Sequence, residues 1–104
     1  MGVSKADWKL FQEKVPKWQE VYMERLDEEY IELLNSDEPA SIRFWKLAER
    51  IKEDRKNPGV MLRLDKNETV YDIVRLIRYD VITIDDLDGF SEDIRETVQR
   101  MIDD

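Results

Sequence analysis

The sequence predicts an all-α domain: a small helical bundle with a long first helix, kinked at Pro16, and three or four shorter helices. Three observations carry this. Glycine and proline number three each among 104 residues, while Glu, Lys, Leu and Arg, all good helix formers, are abundant. Apolar positions recur at steps of three and four in separate stretches. Between the stretches stand capping residues and turn signals. The length suits one domain, 1–104, and no repeat, low-complexity tract or linker divides it.

The first helix should begin at Ser4, which with Asp7 makes a short variant of the capping box. Trp8, Phe11, Val15, Trp18 and Tyr22 follow at alternating steps of three and four, which lays them along one stripe. Leu26, Tyr30, Leu33 and Leu34 extend that stripe to about Asn35. Pro16 lacks an N–H and crowds the carbonyl of Gln12. The stripe keeps its phase across it, which predicts a kink rather than a break.

Asn35-Ser36-Asp37-Glu38-Pro39 marks a boundary, with proline suited to a first helical turn. A second helix should run from Pro39 to about Lys56, burying Phe44, Leu47, Ala48 and Ile51 beside Ile42 and Trp45. Asn57-Pro58-Gly59 stops it. Val60-Met61-Leu62-Arg63-Leu64 reads equally as an extended piece or a buried connector. Asp65 with Glu68, or Asn67 alone, should cap a third helix reaching Tyr79, with Val70, Ile73, Val74 and Ile77 inward. Thr83 with Asp86 opens a short helix through Leu87. Ser91 opens the last, which turns Ile94, Val98, Met101 and Ile102 inward while Phe90 packs at its start.

The inventory excludes much chemistry. Cysteine and histidine are both absent, which removes disulfides, Cys/His metal sites and His-activated nucleophiles. With only Gly2, Gly59 and Gly89, no phosphate-cradling loop can be written. Gly89-Phe90-Ser91 is no nucleophile elbow. Close carboxylate pairs are inevitable among 25 acidic residues and signify little. The expectation is a protein without enzymatic activity, cofactor or metal.

The net charge of −8 is uneven: residues 1–58 hold 11 basic and 13 acidic residues, residues 59–104 hold 6 and 12. Such a field opposes nucleic acid and anionic lipid as partners. No apolar run is long enough to span a bilayer. Met1-Gly2 opens like a myristoylation signal, but Ala6 stands where Ser or Thr is needed. No secretory signal is visible. A cytoplasmic location is expected.

Two features suggest interaction. The stripe of Trp8, Phe11, Trp18 and Tyr22 could be core. Yet a helix of this length would run about 45 Å at 1.5 Å per residue, against a radius of gyration near 13 Å for a compact globule. Part of it must overhang, and an exposed aromatic stripe is usually closed by a partner, most often a second copy. Asp80 to Asp93 holds six acidic residues and no basic one. An EF-hand alignment of this stretch fails, because Arg75, Ile77 and Asp80 fall where calcium ligands and the turn glycine belong. Asp85, Asp86 and Asp88 could instead meet a basic partner or imitate nucleic acid. The basic residues Arg43 to Lys56 on the second helix alternate with acids, as in solvated ion-pair ladders.

Two stretches carry a resemblance. They are Arg43-Phe44-Trp45-Lys46-Leu47 through Ile51-Lys52-Glu53-Asp54 to Pro58-Gly59-Val60, and Val81-Ile82-Thr83 through Asp86-Leu87 to Phe90-Ser91. With the segment from Trp8 to Tyr30, the chain resembles short bacterial helical proteins of about this length, sometimes labelled transporter-related, that have no established activity. The resemblance implies a bacterial cytoplasmic protein and no mechanism. The reading that follows is a non-enzymatic protein–protein interaction domain, a homodimer joined through the first helix. The alternative is an acidic regulator that captures a basic partner or mimics nucleic acid.

Overall fold

The computed structural model describes residues 2–104. The chain forms α1 (Lys5–Leu34), α2 (Ala40–Asp54), a 3-10 turn (Lys66–Glu68), α3 (Thr69–Arg78), a second 3-10 turn (Ile84–Leu87) and α4 (Glu92–Asp103). There is no strand among the described residues. The all-α class and the long first helix are as the sequence predicts.

Local chemistry sets most boundaries. Ser4 Oγ accepts from the Asp7 amide at 3.1 Å and opens α1. Pro16 sits inside an unbroken helix. It faces solvent, as does Gln12, so water can satisfy the carbonyl that proline leaves unpaired. Thr83 and Asp86 form the expected reciprocal cap, and Ser91 Oγ accepts from the Ile94 amide at 3.3 Å to start α4. Asp65 caps the 3-10 turn by accepting from the Asn67 amide, so α3 proper starts at Thr69.

The end of α3 has a specific solution. The Val81 amide donates to Leu76 O at 2.9 Å and the Asp80 amide to Ile77 O at 3.0 Å. That is the Schellman arrangement, and it places Asp80 at φ 60°, a conformation that aspartate tolerates better than most residues. Arg25 Nη2 of α1 donates to Asp80 O at 2.7 Å. Leu76 and Val81, the apolar pair flanking this stop, are both buried.

The core gathers at one end of α1. Phe11 and Val15 meet Ile73, Val74 and Leu76 of α3, Val81 and Ile82 of the following loop, then Leu87, Phe90, Ile94 and Val98. On α3 this shifts the expected face: Leu76 is fully buried, while Val70 and Ile77 are only partly covered.

Beyond this core α1 continues alone with α2. The molecule measures 52 × 24 × 19 Å with a radius of gyration of 16.5 Å, well above the roughly 13 Å of a compact chain of this length. The excess is a helical hairpin made of the distal half of α1 and all of α2. Its base is fastened by Asn57-Pro58-Gly59. Asn57 Oδ1 accepts from the Gly59 amide at 2.7 Å and Asn57 Nδ2 donates to the Tyr22 hydroxyl at 2.8 Å. Gln19 Nε2 donates to Pro58 O at 3.0 Å.

The second helix corrects the sequence reading. Of the four residues expected to be buried, only Leu47 is half-buried; Phe44, Ala48 and Ile51 are exposed, and α2 contains no buried residue. The face turned to α1 is instead Arg43, Leu47, Arg50 and Asp54. Polar partners on α1 select this rotation. Arg43 Nη1 donates to Leu34 O, Arg50 Nη2 to Glu29 Oε1 at 2.8 Å, and the Tyr30 hydroxyl to Asp54 Oδ2 at 2.5 Å.

Candidate functional site

The aromatic stripe expected to bind a partner is committed within the chain. Phe11 is fully buried, and Trp8, Trp18 and Tyr22 are partly buried against the core. Their rings form a relay: Trp8 to Phe11 at 6.3 Å, Phe11 to Trp18 at 6.4 Å, and Trp18 stacked on Phe90 at 6.2 Å. Tyr22 is held by Asn57 and carries Arg25 over its ring at 4.9 Å. The stripe lies on the half of α1 that α3, α4 and their connecting loop cover, so the overhang carries other residues than these. Of the stripe, only the partly exposed edges of Trp8, Trp18 and Tyr22 reach the surface.

The acidic segment divides by role. Asp85, Asp86 and Asp88 are all exposed. Asp86 Oδ2 accepts from the Thr83 amide at 2.7 Å and from its hydroxyl at 3.3 Å, which makes Asp86 a capping residue. Asp7, assigned to the first cap, reaches across the chain instead. Its carboxylate accepts from the Ser91 amide at 2.9 Å and from the Ser91 hydroxyl at 2.5 Å, joining the starts of α1 and α4.

The surface that stands out is the hairpin. Phe44 and Trp45 are 61% and 68% exposed, in edge-to-face contact with centroids 5.0 Å apart. Ile31, Leu34, Ile42 and Ile51 are exposed nearby in the hairpin. A groove of about 340 Å³ runs between the two helices, lined by Glu20, Met23, Asp27, Ile51, Arg55 and Val60 among others. Positions three, four and seven apart share a helical face. Glu20, Met23 and Asp27 therefore continue into Ile31 and Leu34 on α1, and Ile51 and Arg55 continue back through Ala48 to Phe44 on α2. Two stripes flank the groove, acidic and apolar on α1, apolar and basic on α2.

The polar contacts beneath these stripes are strong ones. Arg50 also meets Asp54 at 3.2 Å and lies 5.7 Å from the Tyr30 ring centroid. Burial first, then the bond to Asp54, pushes the Tyr30 hydroxyl well above the usual phenol range, so it stays a donor. Glu29 is the main reason the Arg50 guanidinium is held still more firmly in its charged form.

One buried carboxylate lies apart. Asp72 on α3 is 5% exposed, and its Oδ2 has no hydrogen-bond partner among the described residues. Burial pushes its carboxyl up to about 6; Arg75, 3.8 Å away, opposes the shift, while Glu68 and Asp65 reinforce it. Its burial without a full set of partners is a cost to the fold. Because the folded value lies above the unfolded one, stability is greatest below the unfolded value of 3.8 and falls as pH rises from there through about 6. Asp72→Asn should therefore stabilise the protein by about 1–2 kcal/mol at pH 7.5 and lose that advantage by about pH 4. Urea titrations at the two pH values check this, and an equal effect at both would contradict it.

Among the described residues, no three metal-ligating side chains converge and no helix is long and apolar enough to cross a membrane. The sequence did name most of the exposed hairpin residues, but as core. The signal that could have placed them outward is the polar row Arg43, Arg50 and Asp54, which falls opposite Glu29 and Tyr30 once the two helices are laid antiparallel. No protein-family model matches this chain, and neither a curated protein nor a solved structure matches it.

Proposed function

We propose that the protein is a non-enzymatic interaction domain that self-associates through its projecting hairpin. One observation carries this reading: α2 buries no residue of its own and turns Phe44 and Trp45 outward. Exposed apolar patches of this kind mark contact surfaces, and large aromatics supply most of the energy where chains meet. The first helix keeps a share through Ile31 and Leu34, while its aromatic stripe serves the core. Asp86 is engaged in a cap, and acidic first turns at Thr83 and Ser91 suit the helix dipole without any partner, so the acidic surface is the weaker reading.

Light scattering across a concentration series tests the proposal. The wild type should move from 12.6 kDa toward twice that mass. Phe44→Glu with Trp45→Glu should weaken association by about 2 kcal/mol or more, the loss typical of interface hot spots. Both residues are exposed, so at dilutions where both proteins are monomers the variant should keep the wild-type circular dichroism and melting temperature. A wild type that stays at the monomer mass, or a variant that pairs as well as wild type, would overturn the reading.

A further inference from the structure

We infer that the second copy docks along a two-fold axis parallel to the hairpin, so that α1 of each copy lies against α2 of the other. The inference rests on the self-association proposed above and adds which helices meet. Two hairpins packed face to face by a two-fold have two choices. An axis across the helices sets α1 on α1 and α2 on α2. An axis along them sets α1 on α2 twice.

Charge separates the two. On the faces that flank the groove, α1 carries Glu20 and Asp27 and α2 carries Arg55, while Glu29, Arg43, Arg50 and Asp54 are already engaged inside the hairpin. The crosswise axis brings acidic face onto acidic face and basic onto basic. The lengthwise axis brings each onto its opposite, and such complementarity selects the register in which chains meet.

The apolar positions agree. Within one hairpin, Arg50 meets Glu29 and Arg43 meets the Leu34 carbonyl, so Ile31 stands level with Ala48, and Asp27 one turn or less from Arg55. A lengthwise two-fold keeps those levels. Ile31 and Leu34 then face the Ala48 and Phe44 of the second copy, and Asp27 faces its Arg55. The dimensions suffice for an interface core. The 15 residues of α2 extend about 22 Å at 1.5 Å per residue. Phe44, 61% exposed, contributes roughly 100 Å² of aromatic surface beside the exposed Ile31, Leu34 and Ile51, toward the roughly 800 Å² per partner of a standard interface.

The absence of cysteine makes a clean test available. Ile31→Cys and Ala48→Cys are prepared as separate full-length proteins at exposed positions, mixed, and oxidised, with light scattering on the wild type in parallel. The expected result is a covalent dimer in the mixture at least tenfold more abundant than in either protein alone. A wild-type dimer whose cysteine variants cross-link no better mixed than alone overturns the pairing and leaves self-association intact. A monomer at every concentration removes both.

Discussion

Phe11→Ala should cost about 3–5 kcal/mol, the largest loss of any single truncation in this chain. Phe11 is fully buried, and its ring links Trp8 to Trp18, which in turn stacks on Phe90. Truncation leaves a cavity at the point where α1 meets α3 and α4, and close-packed neighbours cannot collapse to fill it. Folded domains are stable by only about 5–15 kcal/mol, so the variant should sit near the edge of unfolding. Urea denaturation monitored by tryptophan fluorescence and circular dichroism checks this. Phe44→Ala is the matched control: a similar truncation at a 61% exposed site should leave monomer stability within about 0.5 kcal/mol. Equal losses at the two sites would contradict the arrangement of core and hairpin described above.

Gly59→Ala should destabilise by about 2–3 kcal/mol, as overpacking at a tight contact does. Gly59 is buried, and a Cβ there would stand 2.7 Å from Val81 Cγ2 and 2.9 Å from Tyr22 Cε2. Neither neighbour can yield cheaply. Tyr22 is pinned through its hydroxyl by Asn57, and Val81 belongs to the stop of α3. The glycine is required by close approach of side chains rather than by an unusual backbone angle. At roughly 4–8 °C per kcal/mol for a domain of about this size, melting should fall by more than about 8 °C. A thermal scan of the variant beside the wild type measures the shift, and an unchanged midpoint would show that the turn does not press on α1.

What could be read from the sequence was what is decided locally. Ser4 and Ser91 cap because a hydroxyl reaches an amide three residues on, Thr83 because the carboxylate of Asp86 reaches back to its amide, and Phe90, Ile94 and Val98 pack inward because one helical face is apolar. That α1 must overhang the core followed from helix length alone; which part of it overhangs, and with what chemistry, did not. Amphipathicity shows that α2 has an apolar face; it does not show what covers that face. Only the antiparallel register, which sets Arg50 on Glu29 and Tyr30 on Asp54, decides that α2 presents its polar row to α1. Asp7 is similar: its amide contact is local and legible, whereas its carboxylate answers to Ser91, 84 residues away. The candidate site was thus visible as residues and invisible as a surface.

The division of α1 between two neighbours gives one helix two thresholds for opening. Its first half is tied to the apolar core and can release its amides to solvent only when the whole domain lets go. The distal half is joined to α2 through Arg43, Arg50, Asp54 and Tyr30 and a small apolar seam of buried Leu26 with half-buried Leu33 and Leu47, far less than the core, so it opens at lower cost. The α2 segment can therefore peel away and return many times during the life of a single folded molecule. A docked second copy would clamp it shut, so assembly would raise the lower of the two thresholds toward the higher one.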